Sequence, residues 1–316
     1  MKKNLGQTIV NTVNEFISAK EPAFVFGENI NTGSQISGLA RGVTATGSSV
    51  VRNVANCELT HCGVGLGLML DGGSSVLFVK QLDFLLLGLD QICNTLNFAR
   101  SFRKRQDLGS FTIITFVCDQ GFQGPQSSLN NLSDFSSLAN IPVLCINSIN
   151  DASSLLARQL SSPGFRIVGV SQQQFGQENI AKEPIWQSGD GSVVQYCEGT
   201  DVTIVSYNFS LRKSFQLHEM LQKNQLNADL FFSNFVPGMS VEKLSSSVKK
   251  TGKLVIVDDS KSVAKQSDVL SSSILSLGLS PKVFQCTRDP LTDSEYGASP
   301  DVLDISHDKV IDFISQ

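Results

Sequence analysis

The chain has 316 residues, 41% hydrophobic and 17% charged, with a formal net charge of −4 and a pI near 5.4. That length supports a large core and two domains, while the acidic balance leaves no basic stripe to neutralise phosphates and excludes nucleic acid as a partner. So little charge on so large a surface points to a face covered by another subunit.

The N-terminal stretch MKKNLGQTIVNTVNEFISAKEP has lysines but no uninterrupted apolar run, and Glu15 and Glu21 break the composition of a transit peptide, so no targeting segment is expected. No apolar stretch reaches 18 residues, and no membrane span is predicted. Seven cysteines at 57, 62, 93, 118, 145, 197 and 286 are odd in number and form no CxxC pair. They read as reduced thiols of a cytoplasmic protein.

In chain order, short apolar runs rich in β-branched and aromatic residues predict strands at 23–26 (AFVF), 75–79 (SVLFV), 112–117 (TIITFV), 143–146 (VLCI) and 166–170 (RIVGV). Near-continuous apolar strands suit a parallel sheet covered on both faces. Helix-length segments at 90–102 and 151–160 lie between them, which is the alternation of an α/β domain. The polar stretch around 172–199 reads as an interdomain connection. A second α/β unit follows, with strands at 201–208, 228–235, 253–259 and 281–286 and helices at 211–223, 240–250 and 263–277.

Several motifs invite chemistry and carry little. Cys57, His61 and Cys62 fall within six residues with no second pair to complete four metal ligands. GVGLG at 63–67 lacks the GxGxxG spacing, follows no predicted strand, and reads as close helix packing. RSFRKR at 100–105 reads as a solvated helix end. GDG at 189–191 has the letters of a magnesium–diphosphate motif, but the nearest partner, Asn208, comes after only 16 residues, and the triplet reads as a turn. Three acids stand apart. Glu28 follows the strand AFVFG, Glu58 heads the glycine-dotted run ELTHCGVGLGLML, and Asp90 sits in VKQLDFLLLGLDQICN, where Asp83 is the only other charge after Lys80. One such acid alone would be a helix cap or first-turn carboxylate; three in one apolar domain suggest a shared polar pocket.

The stretches FGENINTGSQISGLARGV, NCELTHCGVGLGLMLDGG, VKQLDFLLLGLDQICN, GFQGPQSSLNN, EGTDVTIVSYN and SVKKTGKLVIVDD, spread over nearly the whole chain, together resemble the beta subunit of the thiamine-diphosphate-dependent 2-oxo acid dehydrogenases, within the wider transketolase-like group. The resemblance implies two doubly wound α/β domains: a pyrimidine-binding domain with a mostly parallel sheet at 1–180, a connector at 181–198 and a smaller transketolase C-terminal-type domain at 199–316. It implies that Glu58 hydrogen-bonds N1′ of the aminopyrimidine and opens the cofactor chemistry, its dry surroundings raising its pKa. It sets Phe84 against the pyrimidine face and matches Glu28 and Asp90 to acids of a polar tunnel linking two active sites.

Two departures qualify it. The loop GPQSSLNN, with Gln126 and Ser127, has serine where the family carries a histidine that assists acyl transfer to a lipoyl domain, and Lys80, near the pyrimidine, replaces an apolar residue. The expected protein is therefore a beta-type subunit that cleaves or decarboxylates a 2-oxo substrate and transfers the acyl or ketol unit. An alpha-type partner would supply the diphosphate-binding half and Mg2+ in an α2β2 heterotetramer, with a lipoyl acyltransferase as a further candidate partner. The alternatives are a split transketolase-like or acyloin-forming enzyme, using Lys80 or Arg41 for an anionic ketose or 2-oxo substrate, and a non-catalytic relative, against which intact Glu58 and Phe84 count.

Overall fold

The computed structural model describes residues 4–102, 104–120, 123–124, 127–177, 179–180, 182–236, 241–288 and 302–316. It divides into two units, one of residues 1–129 and 135–179, the other of 130–134 and 180–316.

The first unit holds β1 (Ala23–Gly27), β2 (Val50–Asn53), β3 (Ser74–Val79), β4 (Ser110–Val117), β5 (Val143–Ile146) and β6 (Gly164–Ser171). They lie in the order β5-β6-β4-β3-β1-β2 with every neighbouring pair parallel. Both β4 and β6 are buried at every residue, which is why their sequences are apolar throughout rather than alternating. The strand absent from the sequence reading is β2, whose VVRN is almost wholly exposed at the edge and carries no apolar pattern; a strand therefore does precede the GVGLG run.

Helix α1 (Leu5–Ala19) starts at Asn4, whose side chain accepts the Gln7 N–H at 2.8 Å. Its buried stripe of Ile9, Val13, Phe16 and Ile17 follows helical spacing. Helix α2 (Glu58–Leu70) leads into β3. Between β3 and β4 a 3-10 stretch (Leu82–Gly88) comes first, and the helix predicted at 90–102 is two pieces, a π-helical turn (Asp90–Thr95) and α3 (Leu96–Arg100). Gly88 marks the first break, lying so close to α2 that a Cβ there would come within 2.5 Å of the Cys62 sulfur. Then come α4 (Leu132–Ala139), α5 (Leu156–Ser161), preceded by a π-helical turn at Asp151–Leu155, and the short α6 (Gln172–Phe175).

The second unit holds β7 (Trp186–Gln187), β8 (Val193–Cys197), β9 (Val202–Tyr207), β10 (Ala228–Ser233), β11 (Phe235–Val236), β12 (Lys253–Asp258) and β13 (Lys282–Thr287). Its sheet runs β13-β12-β9-β10-β8-β7, parallel from β13 to β10 and antiparallel at β8 and β7. Side chains alternate across it. Val202 and Ile204 of β9 pack with Leu217 of α7 (Leu211–Lys223) and Val310 of α10 (His307–Ser315). On the other face Val205 and Tyr207 pack with Leu244 of α8 (Val241–Thr251) and Leu270 of α9 (Gln266–Ser276). Both units are thus α/β, with largely parallel sheets and flanking helices, as expected.

Residues 181–198 are not a plain connector. They carry the β7–β8 hairpin at the edge of the second sheet. The polar turn between the strands obscures in sequence that VVQYC is buried throughout. No described helix is long and apolar enough to cross a membrane.

Candidate functional site

In the first unit β1 and β3 are parallel neighbours, so their carboxyl ends deliver Glu28, just after β1, and Lys80, just after β3, to one end of the sheet. Glu58 arrives there as the first residue of α2, where the helix dipole favours a carboxylate. It is only 7% exposed. Phe84, half-buried in the 3-10 stretch after β3, completes a small cleft lined by Glu28, Glu58, His61, Lys80 and Phe84 against the wall of Leu77 to Val79. Four of the residues singled out in the sequence, from three separate segments, therefore meet.

Neither Glu28 nor Glu58 accepts a hydrogen bond or ion pair at its carboxylate from another described residue. Burial, reinforced by the Glu58 carboxylate, pushes the Glu28 carboxyl above its ordinary value, with His61 acting in the opposite sense. A largely buried carboxylate without a protein donor must take its hydrogen bonds from water or from a ligand. The donor set here is two acids, an imidazole, an exposed amine and an aromatic face. It fits a flat, nitrogen-bearing heteroaromatic ring whose N–H groups can meet the carboxylates. No group of three acidic, cysteine or histidine side chains that could hold a metal occurs among the described residues.

His61 is the residue missed by the sequence reading, where it stood only as a poor metal ligand. It is buried one helical turn after Glu58, with its ring edge-on to Phe26 at 6.3 Å and 81°. Its signal was the spacing: three residues beyond an acid on one helix places both on one face. Asp83 was likewise passed over. Its Oδ1 accepts the N–H groups of Ser128 and Leu129, each at 3.2 Å, which ties the loop after β4 to the 3-10 stretch bearing Phe84. In the same loop Ser127 donates its hydroxyl to Gln81 Oε1 at 3.3 Å. Gln126 lies outside the described residues. Asp90 does not line the cleft: it is exposed at the start of the π-helical turn and accepts from Asn94 at 2.9 Å.

The other motifs resolve into structure. Cys57 is exposed, with its sulfur 3.0 Å from the Thr60 hydroxyl, and Cys62 is buried. Gly65 of the GVGLG run lies inside α2, where a Cβ would fall 2.2 Å from the Phe111 ring. The GDG triplet is the turn of the β7–β8 hairpin. Burial pulls the Asp190 carboxyl upward, but hydrogen bonds from Ser188 and Ser192 outweigh it and hold the group below its ordinary value. Asn208 is buried and donates to Asn130 Oδ1 at 2.6 Å.

Residues 191–282 match the family of the transketolase C-terminal domain. Over 282 residues the chain is 25% identical to the mitochondrial 2-oxoisovalerate dehydrogenase subunit beta of Dictyostelium discoideum, covering 86% of this chain and 75% of that one. It is 23% identical to the pyruvate dehydrogenase E1 component subunit beta of Staphylococcus epidermidis, with 80% of each chain covered. Among solved structures it resembles a split gene transketolase described as an inactive beta4 tetramer, with a TM-score of 0.67 and 14% identity over 98% of this chain and 96% of that one. The comparisons bear out the resemblance to beta subunits of the thiamine-diphosphate-dependent 2-oxo acid dehydrogenases.

Proposed function

We propose that the chain is the beta-type subunit of a heteromeric thiamine-diphosphate-dependent enzyme that cleaves or decarboxylates a 2-oxo substrate and passes on the acyl or ketol unit. The observation that carries the reading is the Glu58 carboxylate, buried at the start of α2 without a donor among the described residues and sharing its cleft with Phe84 and Glu28. The similarity to dehydrogenase beta subunits supports it.

When bound, thiamine diphosphate would supply a carbon nucleophile and an electron sink for cleavage beside a carbonyl. Glu58 would hold a proton against N1′ of the pyrimidine, and the apolar wall of Leu77 to Val79 would keep water from that contact. Phe84 would cover one face of the ring. Glu28, its carboxyl raised by burial and by Glu58, is suited to share a proton with that acid. Lys80 offers an exposed cation at the cleft mouth for a carboxylate or phosphate of the substrate. The diphosphate and its Mg2+ would fall to an alpha-type partner. An α2β2 assembly would complete two such sites.

Ser127 favours a second reading. With a hydroxyl bonded to Gln81 where the dehydrogenases have histidine, the acceptor would be a small aldehyde or sugar rather than a lipoyl domain, making this half of a split transketolase-like or acyloin-forming enzyme. The likeness to a split gene transketolase supports that version.

Calorimetric titration of thiamine diphosphate with Mg2+ tests the shared site. We expect weak, substoichiometric heat from the chain alone and tight 1:1 binding once the alpha-type partner is added. Tight 1:1 binding by the chain alone would overturn the heteromeric reading.

A further inference from the structure

A second cavity opens at the other end of the first unit's sheet, at the amino ends of the strands rather than the carboxyl ends where the Glu58 cleft lies. It measures about 280 Å³, just below the ~300–1,000 Å³ common for small-molecule sites. Met69 of α2, Leu96 of α3, Leu108 before β4, Ile141 and Pro142 before β5 and Phe165 of β6 form its walls. Its remaining lining includes two guanidinium groups, those of Arg100 and Arg166, and no acidic side chain.

The two arginines differ in what they can offer. Arg166 is 3% exposed and committed to the protein, donating to the Thr112 hydroxyl at 3.2 Å, the Gly164 carbonyl at 2.8 Å and the Ser162 carbonyl at 2.5 Å. It lends positive potential to the cavity. Arg100 is half-buried and donates from Nη1 to the Asn140 carbonyl at 3.0 Å. Its other N–H groups make no hydrogen bond with a described residue. An apolar chamber with one available guanidinium edge and no acidic side chain in its lining selects an anion with an apolar body. The planar fork matches a carboxylate.

We propose that this cavity binds a small apolar monocarboxylate, its carboxylate on Arg100 and its hydrocarbon part between Met69, Leu96 and Phe165. The basic run RSFRKR, first read as a solvated helix end, then has a purpose for its leading residue. The site is separate from the Glu58 cleft and stands independently of the reading proposed for it.

The chain holds only four methionines, so methyl-13C-methionine labelling makes Met69 a local reporter, assigned through Met69→Leu. Phenylacetate is the probe, titrated into the full chain. We expect the Met69 methyl signal to shift saturably while the Met220 signal stays fixed. The neutral isostere phenylacetamide and inorganic phosphate should each act about tenfold or more weakly, the worth of one charge-assisted hydrogen bond or of the apolar contact. Arg100→Gln should weaken phenylacetate by a similar factor with an unchanged Met220 signal, and Leu108→Trp, which fills the chamber, should abolish the shift. A Met69 signal that does not move would overturn the proposal. So would phenylacetamide or phosphate matching phenylacetate, or an Arg100→Gln variant of unaltered affinity in a folded chain.

Discussion

The carboxylates of Glu28 and Glu58 share one cleft, and the charge on Glu58 helps to hold the Glu28 carboxyl above its ordinary range. The two come from different elements, one from the end of β1 and the other from the start of α2. If the coupling is electrostatic, Glu58→Gln removes one of the two causes that raise Glu28 and leaves burial in place. Titration of the Glu28 side-chain carboxyl by 13C NMR should show its midpoint moving down in that variant while staying above that of a free glutamate. An unmoved midpoint would mean that the two acids do not sense each other.

Asp151 makes a pH-dependent contribution to stability. Burial pushes its carboxyl up to about 6, even though the N–H groups of Asn147 and Ser148 donate to its Oδ2 at 3.0 and 2.9 Å. The folded chain therefore holds this proton more tightly than the unfolded chain, whose group titrates near 3.8. The contribution is fully present below that value, is lost as pH rises through about 6, and stays lost above it. An amide oxygen can accept the same two N–H groups, so Asp151→Asn should keep the fold and remove the dependence. Denaturant unfolding at pH 4 and pH 7 should show the difference in stability between variant and parent shifting in the variant's favour by on the order of 3 kcal/mol at the higher pH. A difference independent of pH contradicts the assignment.

Gly65 and Gly67, two of the three glycines of the helical GVGLG run, have opposite prospects. At Gly65 a Cβ would strike the Phe111 ring at 2.2 Å, whereas at Gly67 nothing lies within 4 Å. Gly65→Ala should lower stability by about 1–3 kcal/mol through overpacking of α2 on β4. Gly67→Ala should raise it by about 0.5–1 kcal/mol through helix propensity. Thermal melts of the two variants check the pair, and equal effects would refute the packing.

Most of the sheet architecture was legible because buried parallel strands are apolar from end to end, as in TIITFV and RIVGV. The edge strand β2 was not, because Val50–Asn53 is exposed and has no core face to encode. The β7–β8 hairpin was hidden by the polar turn that joins its strands. In the site, Glu28 and Glu58 stood out through their apolar setting and Phe84 and Lys80 through the family resemblance, but only tertiary structure brings three distant segments together. Asp90 shared that setting and lies elsewhere, since the π-helical turn leaves it exposed beside Asn94. His61 was overshadowed by its cysteine neighbours. The cavity around Arg100 had no sequence signal at all, being assembled from the margins of six elements.

The central claim is that Glu58 manages a proton for a bound pyrimidine. Glu58→Gln preserves shape, removes the acid and relieves a buried charge, so folding should barely change. The direct measurement is deuterium exchange at C2 of thiamine diphosphate, followed by NMR in the complex reconstituted with the alpha-type partner, beside a thermal melt of the same sample. We predict exchange slower by about 10²–10⁴-fold, the usual worth of one acid–base partner, with an unchanged melting temperature. A lowered melting temperature with normal exchange would make Glu58 a helix-stabilising residue and contradict the account.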